Sequence, residues 1–455
     1  MKFNWTATII VLLIVLINVA AKFGFLDDSS FFLDEAYSVY YAQQDWAGMS
    51  VIFEREANPP TYFVILHYWI KIFGISEMAT RLLSLLAYSL SSGVVFLIAR
   101  NWLPTLSSLL LAIGCSFSES LFFLGCETRV HSFTVLAAGL SILALIQVHQ
   151  KPKLKSILIH GITLVLLFYL HYASSILIAI QLLAVGGSLV HKRLFRLLAV
   201  YMAPLIAIIP LLVGMTDAKV SSTAGWMVSP SISSVIPLLQ TFSNGNQYLV
   251  WVAILSPIIG LIISKNGLHR FVHLMPLLFV FLSYGVSQQI PLFAERYLAA
   301  FVLLSTISIG LFASQIKWKL ASPILLSIWA LAMISTFQPR TDKGDNWRGV
   351  AEYVDSFQTK PDVLVSPVFE YRSYLYYADR EEFKFGKDAH KRCFKKRTYF
   401  ADQIDNEFFN YVQPEQLLYV SKNHGLDPSR QIIEKEFTLA DEQWFGGVRV
   451  QHYVK

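Results

Sequence analysis

Charge is what this sequence has least of. Only 15% of its 455 residues are Asp, Glu, Lys or Arg, against about 25% in an ordinary soluble domain. That is too little to cover a water-facing surface, while 55% of residues are hydrophobic and the mean hydropathy is +0.50. The composition excludes a soluble globular protein and predicts an integral membrane protein. Cysteine is scarce too: Cys115, Cys126 and Cys393 are too few and too scattered for a disulfide framework or a thiolate metal site. No G-x-x-x-x-G-K-[ST] loop, no Rossmann glycine fingerprint and no large domain on the inner side is present to hold a nucleotide. There is no repeat of 20 to 50 residues and no low-complexity tract. The formal charge of +6 sits in short clusters between apolar runs, so it reflects membrane topology and does not imply a nucleic-acid partner.

The apolar runs are long. A segment that crosses a hydrocarbon core needs about 17 to 25 residues, and about eleven candidates meet that need. They cover approximately 6–25, 79–99, 105–124, 132–149, 156–172, 174–190, 197–214, 248–264, 271–287, 298–314 and 320–337. With Lys2 placed inside, the inner loops hold Arg100, "KPKLK" (151–155), "HKRLFR" (191–196), "KNGLHR" (265–270) and "KWK" (317–319). Every one is basic, as the positive-inside rule requires. The outer segments 26–78, 125–131, 215–247 and 288–297 are not, and an odd number of spans leaves the C-terminal segment outside. A cleaved signal peptide is the alternative for the first run, with "NVAAKFG" as its cleavage site. The length of the run and the pairing of later spans favour a retained helix.

Composition changes near residue 338, and roughly half of all the charges fall in the last quarter of the chain. Two domains are therefore expected: a transmembrane domain over 1–337, including the outer loop 26–78 with its interfacial helices, and a soluble domain over 338–455 on the outer face. "DVLVSPV" (362–368) and "QLLYVS" (416–421) have the pattern of strands, and "WRGVAEYVDSF" is amphipathic, which predicts a small α/β fold. At about 118 residues this segment is large enough for a core of its own.

Ionisable groups not spent on topology gather on the outer side, which is where chemistry is expected. The first outer loop supplies Asp34, Glu35, Glu54, Arg55, Glu56 and "NPPTYF" (58–63); the second supplies "CETRVHSF" (126–133); His171 ends the fifth span; "FAERYLAAF" (293–301) supplies Glu295, Arg296 and Tyr297. After Pro59 and Pro60, "TYFVILHYWIKIFG" is too short to span and suits an interfacial helix roofing a cavity that Asp34 and Glu35 face.

Each of these residues has an ordinary alternative. The acidic pair could be a solvated loop, Glu127 and Arg129 a helix-end ion pair, and Arg296 a snorkelling side chain. His131 and His171 read more simply as packed or interfacial histidines. Tyr62, Tyr68, Trp69 and Tyr297 fit an interfacial aromatic belt, and "KRCFKKR" (391–397) fits a solvated face.

These motifs together resemble the GT-C superfamily of polytopic glycosyltransferases, in particular bacterial members related to protein O-mannosyltransferases and to the lipid A aminoarabinose transferase. The resemblance is carried by "LDEA" (33–36), "NPPTYFVILHYWIKIFG" (58–74) with "SEMATRLLSLL" (76–86), "ETRVHSF" (127–133), "ERYLAAF" (295–301) and "NWRGVAEYV" (346–354). It is strongest over residues 30–210. It implies a GT-C fold and transfer of a sugar, with inversion, from a polyprenyl-phosphate carrier to an acceptor hydroxyl on the outer face of a bacterial cytoplasmic membrane. The acceptor would be a lipid, a polysaccharide or a protein.

The family's acidic residue after the first span carries the role of general base to Asp34, with Glu35 beside it. The family residue before the "PP" pair is His or Lys, whereas here it is Asn58, so another cation must meet the donor phosphate. Arg129 and Arg296 are the first choices, then Arg55, with Glu127 and Tyr297 completing the substrate-binding set. No cofactor is required; a divalent cation shared by the two carboxylates is the open alternative to a metal-free site.

Two other functions compete. A transporter or flippase of lipid-linked glycan should show paired repeats and polar breaks near the midplane of both halves, which the sequence lacks. A glycan ligase using a lipid diphosphate should carry an outer loop rich in Arg and His, and 215–247 offers only Lys219.

Overall fold

The computed structural model describes residues 5–55, 58–191, 194–210, 228–290, 292–384, 397–402, 404, 408–422 and 428–455. The end of the expected 197–214 span, Lys219, Cys393 and most of the basic 391–397 run lie outside them. The chain divides into two compact units. The first comprises Met1–Phe25, Phe53–Ile65 and Arg81–Arg340; the second comprises Leu26–Ile52, Leu66–Thr80 and Thr341–Lys455. Much of the outer loop expected to accompany the spans therefore packs with the C-terminal segment.

The first unit is helical. Its elements include α1 (Trp5–Lys22), and the chain continues through α2 (Leu33–Gln43), α3 (Trp46–Arg55) and α4 (Thr61–Phe73) before returning to the bundle. There follow α5 (Glu77–Ala99), α6 (Thr105–Ser116), α7 (Glu119–Gly125), α8 (His131–Gln150), α9 (Leu154–Leu170), α10 (Ser175–His191) and α11 (Phe195–Met202). Later helices cover Gln247–Ile263, Gly267–Val286, Ala300–Gln315 and Ala321–Thr336. Among the described residues, six helices are long and apolar enough to cross a membrane, or seven if the bent pair α6 and α7 is one span. The chain is a multi-span membrane protein.

The expectation of about eleven full spans is met only in part. The spans expected at 156–172, 248–264 and 320–337 fall on helices of 17, 17 and 16 residues. At about 1.5 Å per residue such helices reach roughly 25 Å, the lower end of the length a span needs.

Helices in this unit approach closely through small residues. A Cβ on Gly114 would lie 2.3 Å from the Trp329 ring, and one on Gly260 would lie 2.3 Å from the His273 ring. Polar side chains link the buried faces. His160 Nε2 donates to Gln181 Oε1 at 3.0 Å, and the Gln181 amide donates to Ser141 Oγ at 2.9 Å, joining α8, α9 and α10. In lipid such interhelical bonds supply specificity that apolar contact alone cannot.

The break between α6 and α7 turns the chain by 66°. Its freed backbone groups are all the more costly in an apolar medium, and two side chains answer them. Asn244 donates to the carbonyls of Phe117 (2.8 Å) and Met333 (3.2 Å) and accepts from the Glu119 amide (2.9 Å). Lys22, 3% exposed, donates to the Ser116 carbonyl and to Asn18 Oδ1.

The second unit is built on a mixed five-stranded sheet. Its strands are β1 (Asp362–Ser366), β2 (Thr398–Phe400), β3 (Gln416–Lys422), β4 (Thr438–Phe445) and β5 (Val448–Val454), in the order β2-β1-β3-β5-β4. β1 runs parallel to β2 and β3, whereas β5 runs antiparallel to β3 and β4. β1 and β3 are the strands expected from "DVLVSPV" and "QLLYVS". The amphipathic segment forms the helix Trp347–Asp355, whose N-cap Asn346 accepts from the Gly349 amide.

One face of the sheet shares a core with α2. Phe31, Ala36, Val39 and Tyr40 pack with Trp347, Val350, Val363, Tyr374 and Tyr376. The aromatic richness of "FFLDEAYSVYY" is thus explained by burial: its large rings supply much of the apolar surface this unit removes from water.

Candidate functional site

In the first unit the candidate residues converge at one end of three helices. Arg129 lies in the turn before α8, and His131 is the first residue of α8. His171 follows the last residue of antiparallel α9, and Arg296 and Tyr297 open the span Glu295–Gln315. Up and down helices bring these ends together. The ring centroids of His131 and His171 are 5.5 Å apart, those of His131 and Tyr297 5.8 Å, and those of His171 and Tyr297 4.9 Å. The Arg296 guanidinium carbon is 5.5 Å from the Tyr297 ring. Arg129 and Arg296 both lie within electrostatic reach of both imidazoles.

The turn carrying Arg129 is held by its backbone. The Arg129 amide donates to the Glu127 carbonyl at 2.8 Å, and Ser84 Oγ donates to the Arg129 carbonyl at 3.3 Å. Glu127 is buried at 3% exposure and Arg129 is half-buried. His131 and His171 are packed, as the simpler sequence reading has them, but against Tyr297 and beside two arginines. Neither lone histidine carries a sequence signal for that proximity. Glu295 bonds to Arg340 at 2.6 Å and not to its neighbour Arg296.

The other candidates lie on other elements. Asn58 is half-buried just before buried Pro59, and α4 begins two residues later with the Val64 amide donating to the Pro60 carbonyl. Tyr62 on α4 lies 5.8 Å from Phe133 of α8. Arg55 ends α3, and its side chain is outside the described residues.

Asp34 and Glu35 belong to the second unit, where the structure separates their environments. Glu35 is fully buried and forms a 3.1 Å ion pair with Lys343, itself 2% exposed. It also accepts from the Phe32 amide at 3.4 Å, closing the first turn of α2. Those contacts give Glu35 a structural task. Asp34 is half-buried on the same turn, and its carbonyl accepts from Ser38 Oγ. Lys343 escaped sequence analysis because nothing local marks a lysine 308 positions away as the partner of Glu35.

A second ionic group surrounds Glu77. Arg348 donates to it at 2.8 Å and to Asp27 at 3.0 Å, and Tyr377 donates to it as well. Burial together with the Glu77 charge pushes the Tyr377 phenol above its ordinary pKa. Among the described residues no group of three or more His, Cys, Asp or Glu side chains could hold a metal ion.

The fold is shared with solved structures only 11 to 12% identical in sequence to this chain. Residues 57–214 match the family described as dolichyl-phosphate-mannose-protein mannosyltransferase. Among solved structures, the chain is similar to ArnT from Cupriavidus metallidurans bound to undecaprenyl phosphate. The TM-score is 0.66 at 11% identity, with 97% of each chain covered. ArnT from the same organism in the apo state gives 0.65 at 12% identity, with 98% of each chain covered. No curated protein matches the sequence.

Proposed function

We propose that this protein is an inverting glycosyltransferase that moves a sugar from a polyprenyl-phosphate donor to an acceptor hydroxyl on the outer face of a bacterial cytoplasmic membrane. The observation that carries the reading is the gathering of Arg129 and Arg296 with His131, His171 and Tyr297 at one end of the helical bundle. A similar fold in ArnT holds undecaprenyl phosphate. Residues 1–337 carry the membrane machinery, and 338–455 form the outer domain, whose core the acidic loop completes.

The acceptor oxygen attacks the anomeric carbon from the side opposite the leaving group, so its configuration inverts. The carbon–oxygen bond to the lipid phosphate breaks, and its electrons leave with the phosphate. Arg129 and Arg296 meet the negative charge that grows there, offering planar donor forks that suit phosphate oxygens. With Asn58 uncharged, that work falls on these arginines and on Arg55, while Glu127 and Tyr297 shape the donor site.

Asp34 takes the acceptor proton as the new bond forms. Its half-buried place on the first turn of α2 supports Asp34 as the base, with Glu35 beside it as its support.

Purified protein supplied with a panel of polyprenyl-phosphate sugars tests the proposal through release of polyprenyl phosphate and labelling of acceptor. Asp34→Asn should lower kcat by about 10²- to 10⁴-fold. Arg129→Gln and Arg296→Gln should each lower kcat/KM by about 10²-fold. Full activity in Asp34→Asn would remove the base from this scheme. Turnover only with diphosphate donors would replace the donor class.

A further inference from the structure

Within the second unit, α2, α4 and the helix Arg380–Lys384 border an open cavity of about 270 Å³. It is lined by Ala42, Gln43, His67, Ile70, Lys71, Ile75 and Lys384. It shares no residue with the arginine cluster or with Asp34. Its volume lies just below the usual range for small-molecule sites, roughly 300 to 1,000 Å³, and suits a headgroup-sized ligand.

Two residues that line this cavity carry buried polar atoms without partners. His67 is 3% exposed, and its Nδ1–H donates to the Ala42 carbonyl at 2.7 Å. That bond leaves the Nε2 lone pair as an acceptor, and Nε2 has no hydrogen-bond partner among the described residues. The buried Gln43 Nε2 is likewise without one. Buried polar atoms are nearly always hydrogen-bonded, so an unpartnered pair on two residues that line one cavity points to a ligand. His67 asks for a hydroxyl donor, and Gln43 for an acceptor oxygen. Lys71 and Lys384, both exposed, supply two positive charges at the rim.

The surroundings indicate where that ligand comes from. Tyr68, Ile72 and Phe73 on α4 are 53%, 75% and 51% exposed, and Trp46, whose ring is 5.5 Å from His67, is 52% exposed. An aromatic and aliphatic face flanking lysines is the composition of a helix lying at a lipid headgroup layer.

We propose that this cavity binds the headgroup of an anionic glycerophospholipid. Lys71, Lys384 and Gln43 take the phosphate, and His67 Nε2 accepts a hydrogen bond from a headgroup hydroxyl. The shared chemistry, a phosphate ester beside a hydroxyl, also exists in soluble glycerol 3-phosphate; the exposed apolar face favours the lipid. The site is independent of the glycosyl-transfer reading, and its failure would leave that reading standing.

The test is native mass spectrometry of the full-length protein in nonionic detergent. It is presented with equal amounts of dioctanoyl phosphatidylglycerol and dioctanoyl phosphatidylcholine, and separately with glycerol 3-phosphate. The expected result is selective retention of phosphatidylglycerol. Lys71→Gln combined with Lys384→Gln, two exposed positions, should weaken it by about tenfold or more at an unchanged thermal midpoint. His67→Phe should weaken it similarly. Equal retention of both lipids would show that the apolar face acts alone and would overturn the site. Binding of glycerol 3-phosphate without phosphatidylglycerol would overturn the lipid assignment. Retention by the lysine variant equal to that of wild type, or no retention by the wild type, would overturn the proposal altogether.

Discussion

Glu35 and Asp34 are neighbours in the chain that differ in burial, the first fully buried and the second half-buried. Glu35 and Lys343 are both buried and 3.1 Å apart. A buried ion pair is of small net value, yet removing one partner strands the other and costs about 3–5 kcal/mol. Lys343→Met should therefore lower the stability of the second unit by that order, and adding Glu35→Gln should restore much of it. Thermal unfolding of the two single variants and the double variant measures the coupling. A Glu35→Gln variant that loses activity only in proportion to folded protein would confirm its structural part, whereas Asp34→Asn should lose turnover without losing stability. Phe31, fully buried and 4.6 Å from the Tyr376 ring, should behave as a core residue. Phe31→Ala is expected to cost about 3–5 kcal/mol.

At the scale of elements, the broken span α6–α7 and strand β3 each depend on one polar side chain. Asn244→Ala would leave the Phe117 carbonyl and the Glu119 amide without the bonds they now share with that side chain. An unsatisfied buried group costs about 1–3 kcal/mol. Cys115 and Cys126, buried on either side of the break, provide its local reporter. In a Cys393→Ser background, Asn244→Ala should speed their reaction with maleimide. An unchanged rate would show that the break is held without Asn244.

Lys422 on β3 stands between Asp345 at 2.6 Å and Glu370 at 3.2 Å. Burial pulls its pKa down, but the two carboxylates outweigh that and hold it above the ordinary 10.5. A raised lysine pKa stabilises the fold fully below the unfolded value, and the contribution disappears as pH rises through the folded value. Lys422→Met should therefore be destabilised relative to wild type at neutral pH, with the gap closing above pH 10.5. Chemical denaturation across pH 7 to 11 would show it; a constant gap would assign the loss to packing instead.

At the scale of the whole molecule, the sequence order and the compact units disagree, and this has a consequence for truncation. Leu26–Ile52 and Leu66–Thr80 pack with Thr341–Lys455, so a chain ending at residue 340 would expose Phe31, Val39 and Tyr40, all at 3% exposure or less in the intact protein. Such a chain should aggregate or be degraded, and monodisperse recovery by size-exclusion chromatography would contradict the shared core. Residues 338–455 alone should likewise lack the α2 face of their core. The membrane class, the positions of the apolar helices, the strands at 362–366 and 416–422 and the helix at 347–355 were legible because each follows from local periodicity and hydropathy, which act over a few residues. Arg129, Arg296 and Tyr297 were legible as a group because their placement follows from counting spans. The company of His131 and His171 was not, since it depends on helix ends meeting in space, nor was the bond from Glu35 to Lys343, whose two carriers lie in distant segments. By itself the sequence determined that this chain enters a membrane many times, because transfer free energies and charge placement are properties of the residues themselves. Only the tertiary structure decided that Glu35 pairs with Lys343 and which loop completes the C-terminal core, because burial and pairing are properties of neighbours the chain order does not name.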